Sequence, residues 1–111
     1  MTYRLFIAET AYRSLEVIED YQTVLHGVAE AQKLVDNLLS LSAKEIAESP
    51  LRYGYHHMAT DKGLCLRQWY DKEQKHRVLY EVTENNEVYV LLYVSVKQDL
   101  EQLLYQLLIS F

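Results

Sequence analysis

The sequence predicts an α+β fold, in which an antiparallel sheet carries a helical hairpin on one face and a helix follows at the C-terminus. Two observations lead to this fold class: residues 11–46 place apolar side chains at helical spacing in two stretches, and residues 64–94 alternate in the manner of strands. The predicted order is β-α-α-β-β-β-α, and consecutive strands joined by short turns form an antiparallel meander. Residues 1–111, half of them hydrophobic, have the size and composition of a single domain.

The start of the chain predicts a strand followed by a helix. Residues 3–8 (YRLFIA) are aromatic and aliphatic, as is typical of strands. Thr10 then has a hydroxyl that can cap a helix by accepting a bond from a first-turn N–H. Apolar residues recur at helical spacing as far as Leu25. Gly27 is placed to end the helix, because glycine tolerates the left-handed conformation.

A second helix is predicted between Gly27 and Pro50. It stops before Pro50, since proline disfavours helix in the residue before it. Residues 42–45 (SAKE) fit a capping box, which predicts a break near Ser40. The short connection at Gly27 makes the two helices an antiparallel pair.

The second half predicts a meander over residues 64–70, 76–82 and 87–94. Asn85 and Asn86 suit the tip of its last hairpin, because asparagine accepts the positive φ of tight turns. In the middle strand, His76, Val78, Tyr80 and Val82 lie on one face, and Arg77, Leu79 and Glu81 lie on the other. The apolar face is expected to cover the core, so Arg77 is directed at solvent or at a ligand.

The sheet face away from the helices is the first candidate site. It is predicted to be uncovered and to carry Arg67, Trp69, Arg77, Leu79, Tyr89 and Tyr93. Cations beside aromatic rings are used to hold phosphates and to stack bases. The alternative is an ordinary exposed sheet face, in which Arg77 pairs with Glu81.

Charge is distributed unevenly along the chain. The net charge of −5 argues against a general polyanion binder. Residues 51–80 are nevertheless a basic island, with Arg52, Lys62, Arg67, Lys72, Lys75 and Arg77 against Asp61, Asp71 and Glu73. Such an island can face phosphates locally, although solvated strands and loops also use Lys and Arg.

Other residues predict a cytoplasmic protein without metal or cofactor. The single Cys65 lies between leucines and favours a buried thiol in a reducing compartment. The N-terminus has no signal-peptide pattern, and the longest apolar stretch, residues 88–94, is too short to span a bilayer. His56 and His57 are adjacent, but further ligands at zinc spacing are missing.

The end of the chain predicts an amphipathic helix. Its apolar stripe consists of Leu100, Leu103, Leu104, Leu107 and Leu108. Such a stripe packs on the core of its own chain, or it forms a partner surface, including one for a second copy.

The sequence HRVLYEV at residues 76–82 looks like the R-[VIL]-x-Y strand of the RelE/ParE superfamily of bacterial type II toxins. A polar turn, a second apolar strand (EVYVLLYV) and Lys97 follow it, and YRLFIAETAYRSLEVIEDY resembles the opening strand and helix of that family. The resemblance implies a toxin held inactive by an antitoxin. It also implies one of two mechanisms, cleavage of messenger RNA on the ribosome or poisoning of DNA gyrase.

The resemblance also assigns roles to residues. Arg77 would stabilise the phosphate, since charge builds on phosphoryl oxygens during cleavage. Lys97 would be a second cation, and Tyr80 of the strand motif is the third catalytic candidate. The candidates for RNA or target binding are Arg52, Lys62, Arg67 and Trp69. His57 and His76 are candidates for acid–base chemistry, because histidine titrates near neutral pH.

Some features depart from the RNA-cutting members of that family. Residues 95–99 (SVKQD) replace a segment rich in His or Arg, and Leu103 lies close to the place of a catalytic tyrosine, with Tyr105 nearby. The chain is acidic, whereas those members are basic. These departures leave room for a gyrase-directed toxin. The alternative from another class is a non-catalytic interaction protein on the same fold.

Overall fold

The computed structural model describes residues 3–55, 66–73 and 75–95. Its elements are β1 (Arg4–Ile7), α1 (Glu9–His26), α2 (Val28–Glu48), a 3-10 turn (Pro50–Arg52), β2 (Arg67–Tyr70), β3 (His76–Val82) and β4 (Glu87–Ser95). The predicted α+β class and the element order as far as the last strand are confirmed. The predicted C-terminal helix and the first two residues of the predicted second strand lie outside the described residues.

The four strands form one sheet in the order β1-β4-β3-β2. β2, β3 and β4 are the predicted antiparallel meander, and β1 pairs with β4 in parallel. The sheet is therefore mixed. A parallel pair needs a long connection, and the helical hairpin together with β2 and β3 separates β1 from β4 along the chain.

Gly27 alone joins the two helices. Its φ of 89° lies in the left-handed region, and its N–H donates to the carbonyl of Thr23 at 2.9 Å. The predicted helix end at Gly27 is confirmed, and so is the end of α2 at Glu48, ahead of Pro50. Neither helix is long and apolar enough to cross a membrane.

The core lies between the helical hairpin and one face of the sheet. Its buried members are Ala11, Leu15 and Ile18 of α1, Val35, Leu38 and Ile46 of α2, and Trp69, Val78, Tyr80, Val88, Val90 and Tyr93 of the sheet. Burying one such aliphatic side chain contributes about 1.5–3 kcal/mol. The face of β3 predicted to cover the core, which includes Val78 and Tyr80, is confirmed.

A β-bulge in β4 changes which of its side chains face the core. Leu79 pairs with Leu92 but Tyr80 pairs with Val90, so Leu91 is an extra residue in β4. The alternation reverses at the bulge, and Tyr93 enters the core together with Val90. The predicted place of Tyr93, beside Arg77 on the other face, is wrong for this reason.

The bulge is held by the first turns of α1. The hydroxyl of Thr10 donates to the carbonyl of Leu91 at 2.7 Å, and the hydroxyl of Ser14 accepts the N–H of Tyr93 at 2.8 Å. The Leu91 carbonyl and the Tyr93 N–H lie on β4 beyond the point where its pairing with β1 ends. Thr10 therefore does not cap α1, whose N-cap is Ala8 and has no side-chain bond, and that prediction is wrong.

Ser42 has a similar role in α2. Its hydroxyl lies 3.0 Å from the hydroxyl of Tyr93 and also donates to the carbonyl of Leu39. A buried serine bonded to the core does not start a new helix, and α2 runs without interruption through residues 42–45. The predicted break near Ser40 is wrong.

Removing the Ser14 hydroxyl is expected to destabilise the fold. Ser14→Ala leaves the buried N–H of Tyr93 without its acceptor, which costs about 1–3 kcal/mol in the free energy of unfolding. The matched control is Thr23→Ala, because the Thr23 hydroxyl bonds to the carbonyl of Glu19 within α1 and to no other described residue. Urea denaturation measures both variants. Equal losses in the two would contradict the role of Ser14 at the bulge.

Candidate functional site

Arg77 lies on the sheet face opposite the helices, as predicted. It pairs with Val94 of β4 and Tyr70 of β2, so these side chains share its face. The guanidinium carbon lies 5.5 Å from the centre of the Tyr70 ring, and the Tyr70 side chain is exposed. The pair combines a permanent positive charge with an aromatic surface.

The middle of this face is covered, contrary to prediction. Leu79 and its partner Leu92 are fully buried, and Val94 is nearly so. Strand alternation shows which side chains share a face, but it does not show whether that face is covered. The exposed part of the Arg77 face is therefore smaller than predicted.

A second group of rings, of which Phe6 is exposed and Tyr89 is half-buried, lies on the same face at β1. The Phe6 and Tyr89 rings stack with centres 5.2 Å apart, and the guanidinium of Arg4 lies 5.4 Å from the centre of Phe6. Arg4 also lies 3.6 Å from the Glu87 carboxylate. β1 and β2 are the two outer strands of the sheet. This group and the Arg77–Tyr70 pair therefore lie near opposite edges of the same face. The sequence analysis missed Phe6, although its place in the alternation of the first strand could have indicated it.

Arg67 does not share the face of Arg77. It pairs with Tyr80 and so lies on the helix side of the sheet. Its guanidinium donates to the Tyr53 carbonyl at 2.5 Å and lies 4.4 Å from the centre of the Tyr55 ring. Arg67 thus holds the segment that follows the 3-10 turn, and its predicted place on the open face is wrong.

Trp69 is a core residue. It pairs with Val78, is 1% exposed, and donates its indole N–H to Glu45 Oε1 at 3.2 Å. The prediction that it lies on an exposed binding surface is wrong. Which face β2 shares with β3 depends on the pairing register, and the sequence does not determine that register across an irregular connection.

Tyr80 is also closed off from solvent. It is fully buried, and its hydroxyl donates to the carbonyl of Pro50 at 2.5 Å. Burial raises the pKa of Tyr80 well above its usual value, and the nearby charge of Arg67 only partly opposes this. A catalytic tyrosine must reach its substrate, so this position contradicts the catalytic assignment and supports a structural role.

His76 lies on the helix side of β3, so its ring faces away from the Arg77 side chain. The ring is almost buried, and its Nδ1 lies 3.2 Å from Asp71 Oδ2. His76 therefore cannot serve as the acid–base partner of Arg77. Asp71 was missed by the sequence analysis, although an aspartate at the start of a polar turn often bonds to backbone further along.

Of the remaining predicted site residues, Arg52 is the one that the structure describes. Arg52 is exposed on the 3-10 turn, 5.8 Å from the centre of the Tyr53 ring. Lys62, Lys97 and His57 lie outside the described residues and stay predictions. Within residues 3–55, 66–73 and 75–95, no group of His, Cys, Asp or Glu is arranged to hold a metal ion.

The chemistry open to this face follows from its arginine. A guanidinium can hold a phosphate or a carboxylate and stabilise negative charge, but it stays protonated and does not transfer protons. Glu81 is exposed on the same face of β3, yet four residues of strand place it about 13 Å from Arg77. The described part of the face is therefore suited to binding an anionic group.

Solved structures with this fold include chains from two toxin–antitoxin systems and a toxin. The chromosomal ParDE system from P. aeruginosa contains a chain that matches with a TM-score of 0.70 and 18% identity, covering 86% of this chain and 98% of that chain. The RelBE2 complex from Mycobacterium tuberculosis matches with a TM-score of 0.60 and 14% identity, covering 86% and 99%. A free mutant of the E. coli toxin RelE matches with a TM-score of 0.54 and 17% identity, covering 99% and 97%.

These neighbours confirm the predicted resemblance to the RelE/ParE superfamily at the level of the fold. No protein-family model matches the sequence, and no curated protein matches it.

Replacing Arg67 is expected to loosen the segment of residues 51–55. Arg67→Met keeps the aliphatic stem but loses the bond to Tyr53 and the contact with Tyr55, which costs about 1–3 kcal/mol. Hydrogen exchange should become faster at residues 51–55, and urea denaturation should show the lost stability. The control Arg52→Met removes an exposed arginine from the same region. Equal effects of both variants would contradict the structural role of Arg67.

Two buried tyrosines are expected to make the fold sensitive to alkali. Burial raises the pKa of Tyr93 to about 12, although its bond with Ser42 opposes the shift. The pKa of Tyr80 is raised further. A raised folded-state pKa leaves stability intact below the unfolded value of about 10 and removes it above that pH, by up to about 1.4 kcal/mol per pH unit for each tyrosine.

Urea denaturation between pH 8 and pH 11 tests this expectation. The wild-type free energy of unfolding should fall above about pH 10. Tyr93→Phe and Tyr80→Phe should each make that fall shallower. If the free energy of unfolding of both variants falls with pH as steeply as that of the wild type, these two hydroxyls do not cause the fall.

Proposed function

We propose that this chain is the toxin component of a bacterial type II toxin–antitoxin module and is held inactive in the cytoplasm by a cognate antitoxin. The observation that carries the proposal is the shared architecture. A helical hairpin covers one face of a four-stranded sheet, β1 pairs in parallel with β4, and an arginine lies on the opposite face. The solved ParDE and RelBE2 systems, which contain this fold, support an antitoxin as the partner.

Arg77 is proposed to contact the cellular target. It is half-buried beside Tyr70, and this contact restricts the motion of its side chain. A restricted guanidinium loses less conformational entropy when it binds a phosphate or a carboxylate. The same face carries Tyr70 at its edge, so a target can add an aromatic contact to the ionic one.

The geometry favours a toxin that binds and poisons its target, such as DNA gyrase, over one that cleaves RNA. Trp69 and Arg67, which the sequence placed on the face of Arg77, lie on the helix side of the sheet, and so does Tyr80. His76 also lies there, in the cleft beside Asp71. Cleavage of RNA needs a proton acceptor and a donor at the scissile phosphate. Ribosome-dependent cleavage would therefore depend on Lys62, Lys97 and His57.

A non-catalytic interaction protein is the second candidate. The net charge of −5 favours it, because an acidic chain gains little from long-range attraction to nucleic acid. Such a protein would form a stable complex with a partner and would not inhibit growth.

Expression without the antitoxin is expected to arrest bacterial growth. Arg77→Ala should relieve the arrest, because it removes the charge from the proposed contact face. The matched control is Arg13→Ala, an exposed arginine of α1 whose side chain pairs with Glu9 at 3.0 Å. Colony counts after induction measure the effect, and circular dichroism of the purified variants confirms that they fold. Tyr80→Phe should stay toxic, since only a structural hydroxyl is lost.

The outcomes separate the candidates. Soluble wild-type protein that leaves growth unchanged would rule out the toxin. Equal relief by Arg77→Ala and Arg13→Ala would rule out a special role for Arg77. With growth arrested, inhibition of gyrase supercoiling by the purified chain supports the favoured mechanism. Cleavage of a reporter message on the ribosome would replace that mechanism with RNA cleavage.

A further inference from the structure

A cleft lies on the helix side of the sheet, away from the Arg77 face. It has a volume of about 620 Å³ and opens between the helical hairpin and the turn that joins β2 to β3. This size falls within the range of about 300–1,000 Å³ found for small-ligand sites. The toxin proposal does not use the cleft, and the cleft does not depend on that proposal.

A fixed imidazole lines the cleft. His76 Nδ1 faces Asp71 Oδ2 at 3.2 Å, while Asp71 Oδ1 accepts the backbone N–H groups of Lys75 at 2.8 Å and His76 at 3.3 Å. The carboxylate is thus held in place by the turn, and it orients the ring. No described residue bonds to His76 Nε2, so this atom remains for a ligand.

Besides two histidines, the charged side chains that line the cleft are three lysines (Lys33, Lys72 and Lys75) and three acids (Glu30, Asp71 and Glu73), and they differ in whether they are already paired. Asp71 is engaged by His76, and Glu73 is engaged by Lys75 at 3.0 Å. Lys33 and Lys72 also line the cleft and form no ion pair within the described residues. Glu30 is the acidic side chain left on the lining. Lys33 and Lys72 are therefore the two lysines of the lining whose charge no described carboxylate pairs.

The inner wall of the cleft is apolar. Leu34, Leu38 and Leu41 of α2 line it together with Trp69 of β2. Leu38 and Trp69 are almost fully buried in the core, so this wall is rigid. Small-ligand sites combine such a wall with a few convergent polar groups.

We propose that this cleft binds a small organic anion. Its carboxylate or phosphate group accepts hydrogen bonds from the ammonium groups of Lys33 and Lys72, and from the Nε2–H of His76 when that ring carries both protons and turns its Nδ1–H to Asp71. Its apolar part packs on the leucines of α2 and on Trp69. Charge-assisted hydrogen bonds supply the specificity, and the apolar wall supplies contact area.

Trp69 reports directly on occupancy, since it is the single tryptophan of the chain and lines the cleft. The probes are hexanoate, hexyl phosphate and hexan-1-ol, titrated at pH 7 while tryptophan emission is recorded. At least one of the two anions should give a saturable change at millimolar concentration. The alcohol, which has the same chain without the charge, should bind about tenfold more weakly or not at all. The anion that binds more tightly identifies the head group.

Two variants test the named residues. Lys33→Met should weaken binding of the anion about tenfold, because one charge-assisted bond is lost. Its matched control is Lys44→Met, an exposed lysine of α2 that does not line the cleft and should bind within about twofold of the wild type. His76→Asn keeps a donor near Nδ1 for Asp71 but removes Nε2, and it should also weaken binding. If His76→Asn fails to fold, the lysine pair decides.

Three results would overturn the proposal. The first is no saturable change with either anion up to about 10 mM, since even a weak site with ~4 kcal/mol of binding free energy would respond below that concentration. The second is equal binding of hexan-1-ol, which would leave only an apolar pocket. The third is an equal effect of Lys33→Met and Lys44→Met.

Discussion

The fold depends on the extra residue Leu91 in β4 and on the hydrogen bonds that α1 forms with the backbone at this bulge. The bulge leaves a carbonyl and an N–H on the edge of β4 beyond the end of β1, and the hydroxyls of Thr10 and Ser14 satisfy them. Buried backbone groups without partners cost about 1–3 kcal/mol each, so the position of α1 and the position of the bulge determine one another. The reversed alternation then carries Tyr93 into the core, where its hydroxyl meets Ser42 and fixes α2 as well.

Three polar side chains of β2 and β3 connect the sheet to the segment around the end of α2. Arg67, Trp69 and Tyr80 bind the Tyr53 carbonyl, the Glu45 carboxylate and the Pro50 carbonyl respectively. Together they hold the end of α2 and the 3-10 turn against the sheet. These polar groups stabilise the fold, because each of them lies on the face of the sheet that the helices cover. Arg77 is one residue away along the chain from His76, yet its side chain lies on the opposite face of β3, beside Tyr70.

The sequence predicted the helices, the meander and the turns at Gly27 and Asn86 because each has a local cause. Gly27 and Asn86 both adopt positive φ, and the apolar period of the helices is strong. It also predicted correctly that Arg77 faces away from the helices. It failed where the cause is not local. The bulge at Leu91 and the pairing register of β2 depend on contacts with α1 and β3, so Tyr93, Trp69 and Arg67 were placed on the wrong face. Thr10 and Ser42 were read as caps because their partners, Leu91 and Tyr93, are remote in sequence.

The net charge of the chain is a weaker guide to its ligands than this geometry. Several of the acids of α1 and α2 are exposed on the helices, among them Glu9, Glu16, Asp20 and Glu30. Arg77 lies on the other side of the sheet, beyond the core. Charges separated by more than about 8–10 Å of solvent are largely screened at physiological salt. The local field at Arg77 is therefore set by its neighbours on the sheet rather than by the total of −5. The burial of Tyr80 and the orientation of His76, and not the acidity of the chain, are therefore what sets the proposed function against RNA cleavage.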